Sequence, residues 1–172
     1  MNKLTTLPTA RRALQLIAAA LLLSQSYAAM ADSQTDCADA AGTYLTGRVV
    51  SGAKFASART ALKGIRLTHT HVQIQSDQDG HVYDVAMDNV FASDYVRNAS
   101  TMPRSLAAIR AGDHLQLCGE PYSSGYGIHW VHTNCSATPD PSHPDGSVKE
   151  VAVNGTVSRN LESSQAYCYL WN

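Results

Sequence analysis

Histidine is the residue type in this chain whose spacing comes nearest to spelling a reaction centre. His69 and His71 stand at i and i+2 in a stretch that alternates as a β-strand, so both imidazoles leave one face in a chelating arrangement. His129 and His132 flank Trp130, and His143 follows in a proline-rich segment. Neutral imidazoles are common ligands of zinc and copper, which makes His69, His71, His129 and His132 a candidate metal site if the two segments lie side by side. Residues three apart on an ideal strand face opposite ways, so His129 and His132 both point inward only across a bulge. The competing reading makes each histidine an ordinary surface or hydrogen-bonded side chain, because neither spacing is a dedicated metal signature.

Charge is segregated along the sequence. Arg48, Lys54, Arg59, Lys63 and Arg66 form a run without acidic residues, whereas Asp77, Asp79, Asp84, Asp88 and Asp94 form one without Lys or Arg. The basic run suits an anionic glycan, a peptide or a nucleic-acid strand; the alternative is a solvated loop that balances the acidic turn. Tyr122 and Tyr126 are candidate stacking rings and Asn89 a candidate polar contact, while Trp130 is expected in the core. Asp88, Asn89, His129 and His132 offer a general base with orienting groups, the basis of an alternative reading as a His-based or metal-dependent hydrolase. The sequence contains no G-x-S-x-G, H-E-x-x-H or phosphate-cradling glycine loop, and Ser123 and Ser124 fall in a turn. A binding module is therefore better supported than an enzyme, and no catalytic residue is assigned. A third reading is an envelope interaction protein without a small ligand.

The elements that must position these groups centre on Ala111 to Cys135, read as two strands joined by the turn Ser123-Ser124-Gly125-Tyr126-Gly127. Tyr44 to Val50 alternates as a first strand, Ser51 to Lys63 reads as a long loop, and Ile65 to Gln75 as a second strand. Asp77-Gln78-Asp79-Gly80 then makes a hairpin turn into a third strand, His81 to Val90. Ser93 can cap a short helix through Arg97, and Ser105 to Arg110 forms another helical turn. Val148 to Val157 offers a final strand after Pro139, Pro141 and Pro144. Three strands, a helical link and two more strands match an OB-like Greek-key barrel of five to six strands, mainly β, with a β-sandwich as the alternative. One core is expected from Val49, Leu67, Val85, Leu115, Leu117, Ile128 and Trp130.

Lys3, Arg11 and Arg12, the apolar run Ala13 to Leu23 and Ala29-Met30-Ala31 read as a signal peptide over 1–31, leaving 32–172 as one β-barrel domain with an irregular C-terminal tail. Removing it takes away three of 13 basic residues and none of 14 acidic ones, a net charge of −4 that argues against general nucleic-acid binding. No later segment resembles a membrane span, so the expected location is periplasmic or secreted. Cys37, Cys118, Cys135 and Cys168 all lie in the exported part and imply two disulfides. Three pairings are open; proximity in the hairpin favours Cys118 with Cys135, leaving Cys37 with Cys168 to tie the ends.

The hairpin resembles an uncharacterised family of small exported bacterial proteins with a Gly-x-Ile-His-Trp-Thr-His motif. The resemblance rests on Gly112, Asp113, Gly119, Glu120, Tyr122, Gly127, Ile128, His129, Trp130, His132 and His143, with Asp88-Asn89-Val90 at a further element. Val131, Asn134-Cys135 and Ser147 depart from the pattern. The resemblance implies an OB-like barrel and no established activity.

Overall fold

A computed structural model describes residues 33–136 and 138–171. The signal segment 1–31 lies outside the described residues. The chain divides into two compact units, Met1–Thr35 and Asp36–Asn172, and the second carries the elements of the fold. Among the described residues no helix is long and apolar enough to cross a membrane.

The protein is mainly β. Alternating small and apolar residues build β1 (Thr43–Ala56), β4 (His69–Ser76), β5 (Val82–Asp88), β6 (His114–Pro121), β7 (Gly127–His129) and β8 (Ser147–Val151), which form one sheet in the order β1-β4-β5-β7-β6-β8. A further pairing of β1 with β6 joins the first five of these into a ring of hydrogen-bonded strands. A separate two-stranded ribbon pairs β2 (Ala61–Leu62) with β3 (Ile65–Arg66).

β1 runs six residues beyond Val50, through part of the stretch expected to be loop. Its register shifts at Val49/Ser51 and again at Ser51/Lys54, and these irregularities bend the strand so that Thr43–Arg48 pairs with β6 while Gly47–Ala56 pairs with β4. The expected second strand divides at Leu67-Thr68 into β3 and β4. The expected helix after Ser93 is absent: Asn89–Phe91 is a 3₁₀ turn, and Asp94 instead accepts from Ser105 N–H at 3.0 Å and Ser105 Oγ at 2.6 Å. These bonds tie Asp94 to the helical turn Arg104–Ala107, whose N-cap residue is Pro103.

The core combines Val49, Val72, Ile74, Val85, Met87, Leu115, Leu117 and Ile128; of these, Val49, Val85, Leu115, Leu117 and Ile128 are residues that the period-two reading places inside. Two expectations need correction. Leu67 is only half-buried and packs on a second cluster of Ile65, Val90, Phe91 and Leu170, covered by the C-terminal segment. Trp130 is not a core residue. The chain takes φ +56° there, a left-handed conformation rare for a bulky side chain, which ends β7 and sends Val131 into the core in its place. Gly146 accommodates this detour, because a Cβ at that position would lie 2.1 Å from the Trp130 carbonyl oxygen.

Both disulfides form, but not in the expected pairing: Cys37 bonds Cys118, and Cys135 bonds Cys168. The hairpin argument fails because β7 lasts three residues and the chain then turns away, carrying Cys135 to the second cluster. The register Tyr44↔Cys118 lays the lead-in containing Cys37 over β6 instead.

The free side of β8 is sealed by its own downstream chain. Asn160 Oδ1 accepts from Val148 N–H at 3.0 Å, Ser158 Oγ accepts from Glu150 N–H at 2.9 Å, and the Val148 and Glu150 carbonyls accept from Leu161 and Ser158 N–H, each at 2.8 Å.

Peptide mapping under non-reducing conditions is expected to recover Cys37–Cys118 and Cys135–Cys168 only. The double variant Cys135→Ser, Cys168→Ser should lose about 3 kcal/mol in chemical denaturation, since its bond closes a separation of 33 residues; an unchanged midpoint would refute the assignment.

Candidate functional site

The strand order sets histidines against carboxylates. β4 presents His69 and His71 on the outer face while Thr70, Val72 and Ile74 point inward. Register places His69 opposite Asp88 on β5 and Gln73 opposite Asp84, and on the other side of β5 the short strand β7 sets His129 opposite Glu120 of β6. His69 Nε2 meets Asp88 Oδ1 at 2.6 Å, His71 Nδ1 meets Asp84 Oδ2 at 2.9 Å, and His129 Nε2 meets Glu120 Oε2 at 3.3 Å. Tyr122 Oη donates to the same Asp84 oxygen at 2.7 Å, and its ring stands edge-on to His129. These groups form a file across four neighbouring strands.

At one end the file passes into the protein. Asp88 Oδ2 lies 3.5 Å from His132 Nε2, long for a full hydrogen bond, and His132 is 2% exposed. His132 Nδ1 donates to the Thr133 carbonyl at 2.9 Å. Glu162, 0% exposed, accepts from the Asp88 backbone N–H through Oε2 at 3.1 Å, while its Oε1 has no partner. Two carboxyl groups thus share one corner and are shifted in opposite directions. Burial pushes the Asp88 carboxyl up, but His132 and His69 more than offset it and hold it well below the ordinary range. Burial, and then the Asp88 charge, push Glu162 well above it. His69 is raised by its hydrogen bond to Asp88, against the opposing effect of burial.

His132 also lines a cavity of about 390 Å³ on the side where Phe91, Trp130, His143 and Trp171 gather. Phe91 stacks on His132 at 3.6 Å between ring centroids and on Trp171 at 5.3 Å, while Trp130 tilts over His132 at 5.0 Å and meets His143 edge-on at 4.7 Å. The rim is a hydrogen-bonded loop. Asn134 Oδ1 accepts from Ser136 N–H at 2.8 Å, its amide donates to the His143 carbonyl, and Asp140 Oδ1 accepts from Ser142 and His143 N–H at 2.8 and 3.1 Å. A larger hollow of about 590 Å³ beside Arg48, Asp113, His114 and Glu150 has no aromatic wall, and Arg48 and His114 there are already engaged with the Gly112 carbonyl and Asp77.

The four candidate metal ligands lie along the file and do not meet at a point: His69 and His132 share Asp88, His71 is held by Asp84 and His129 by Glu120. Among the described residues no three His, Cys, Asp or Glu side chains are grouped to hold a metal ion. The basic run is dispersed. Arg48, Lys63 and Arg66 donate to the carbonyls of Gly112, Tyr169 and Asn98, Lys54 sits opposite His71 in the β1–β4 register, and Arg59 is exposed. Asn89 is fully buried and ties Thr68 to Thr70, with its amide donating to Thr68 Oγ1 at 2.9 Å and its carbonyl accepting from Thr70 Oγ1 at 2.6 Å. Tyr126 is exposed and stacks on His81; Tyr122 is held by Asp84.

Glu162, Phe91, Asp140 and Trp171 escaped the sequence reading. Glu162 stands in an aperiodic tail with no motif around it, and only strand register reveals that Asp84 and Asp88 are the partners of His71 and His69. No protein-family model matches the sequence, and a search of curated proteins finds none similar to it.

The raised Glu162 stabilises the fold below the ordinary carboxylate range and loses that contribution as pH rises through its folded value. Glu162→Gln, which keeps an acceptor for Asp88 N–H, should therefore melt roughly 4 °C higher than the parent at pH 8 and converge with it near pH 4. His69 has the same sign: its contribution is full below its unfolded value and fades above its raised folded one, so His69→Ala should cost more at pH 5.5 than at pH 8.5. Parallel melting curves across pH for either variant and the parent would contradict the assignment.

Proposed function

We propose that this protein is an exported binding module, periplasmic or secreted, in which an OB-like Greek-key barrel carries a small-ligand site at the Trp130–Trp171 cavity. In this reading the ring of five strands is the barrel, β8 is its sixth strand, and the helical turn Arg104–Ala107 serves as the link between its third and fourth strands. The two disulfides support an oxidising compartment. The likeness of the hairpin to a family of small exported bacterial proteins points the same way.

The observation that carries the reading is the cavity itself. Its volume of about 390 Å³ falls in the range of small-molecule sites, and its wall joins aromatic rings to a few fixed polar groups, the usual composition of such sites. The backbone is strained to build it: the left-handed Trp130 turns a ring that alternation would send inward onto the cavity wall. The basic run from Arg48 to Arg66 supports an anionic ligand less well, because three of its five side chains already bind backbone carbonyls.

Both tryptophans of the chain line this cavity, so intrinsic emission reports on it alone. A ligand of the site should shift that emission saturably, and Trp171→Ala should weaken binding about tenfold, the loss of one stacking surface. Ligands that raise the melting temperature without disturbing tryptophan emission would move the site elsewhere and defeat the proposal.

A further inference from the structure

The charges and hydrogen bonds of the cavity wall say what kind of ligand suits it. Among the lining residues there is no Lys or Arg, and the one carboxylate is Asp140. An anion would find no permanent cation there, and the two lining imidazoles already face carboxylates: His132 Nε2 lies 3.5 Å from Asp88 Oδ2, and His143 Nδ1 lies 3.5 Å from Asp140 Oδ1. The groups that would read the hydroxyls of a sugar are largely committed to the rim. Both ends of the Asn134 amide are bonded within the loop, Asp140 Oδ1 holds two backbone N–H groups, and the Trp130 indole N–H is sealed from solvent. Beside the small hydroxyls of Ser136 and Thr138, ring surface and one carboxylate oxygen remain: Trp171 is 40% exposed, Trp130 is half-buried, and Asp140 Oδ2 makes no hydrogen bond among the described residues.

We propose that the cavity bounded by Trp130, Trp171 and Asp140 selects a small organic cation of the quaternary-ammonium type. The inference rests on the reading of this cavity as the ligand site. Aromatic faces attract a cation through the ring quadrupole, most strongly where water is displaced, and a neighbouring carboxylate adds a charge that needs no directed hydrogen bond. A quaternary ammonium has no N–H to satisfy, so it loses nothing where the wall's acceptors are already in use. The charge behind the wall has the same sign, since Asp88, held ionised, stands against His132. Asp145 accepts from Asn134 N–H at 2.8 Å beneath the rim.

The test titrates the full exported chain with choline, with its uncharged isostere 3,3-dimethylbutanol, and with methyl glucoside, at constant ionic strength, following tryptophan emission and melting temperature. Choline should bind saturably and at least about tenfold more tightly than the isostere. Asp140→Asn keeps the Oδ1 acceptor for Ser142 and His143, so the loop should fold while choline affinity falls about fivefold and isostere affinity stays the same. Trp171→Ala should weaken both ligands. Equal affinity for choline and the isostere, or an Asp140→Asn variant that binds choline as well as the parent, would overturn the cationic assignment while leaving a small-ligand site. Binding of methyl glucoside without choline would also overturn it and leave the site standing. Silence from all three probes in the parent protein would overturn both readings.

Discussion

Gly127–His129 carries a constraint out of proportion to its length. On one side it pairs in parallel with β5 through Gly127 and Ile128, and on the other it pairs antiparallel with β6 through Ile128 and His129. Without these contacts β5 and the end of β6 would each present an open edge, and the ring that β1 completes with β6 would have a gap. The strand can be this short because Ile128 fills the core between its two neighbours. It must also stop at once, since a continued strand would carry Trp130 inward. The left-handed residue at 130 resolves the conflict: one turn of backbone closes the ring, fills the core with Val131 and frees an indole for the cavity wall.

The distribution of protons follows from that geometry. Ending β7 at His129 lets His132 reach back beneath Phe91 to Asp88, whose other oxygen already holds His69. Two imidazoles hold the Asp88 carboxyl below the ordinary range; Glu162, which has only a backbone N–H for a partner, is pushed above it by burial and by the Asp88 charge. The outer file and the inner cavity are therefore connected through one carboxylate, held by His69 of β4 on one oxygen and by His132, beyond β7, on the other.

Much of the scaffold was legible because period two is a strong signal where one face of a strand is buried. The alternation in His69–Ser76 separates the histidine face from that of Thr70, Val72 and Ile74, although Leu67 as a core residue selects the wrong one of the two, and Asp77-Gln78-Asp79-Gly80 forms the expected turn, with Gly80 at φ +73° and Asp79 Oδ1 accepting from His81 N–H. Register and tertiary approach were not legible. The disulfide pairing failed because separation along the chain is a poor guide once β7 ends, and Trp130 was misplaced because one left-handed residue reverses the alternation. The histidines were identified as a group, yet their partners Asp84, Asp88 and Glu120 become visible only when neighbouring strands are aligned.

The side-chain seal along β8 has a consequence for association. A strand that ends a sheet normally offers alternate amides and carbonyls to any extended chain that drifts alongside, which is how fibrils recruit their next layer. Here Val148 and Glu150 are engaged by the downstream tail through an amide oxygen, a hydroxyl and two backbone N–H groups. Along the main sheet the described residues present a closed ring on one side and a stoppered strand on the other, which leaves templated growth no free edge at β8.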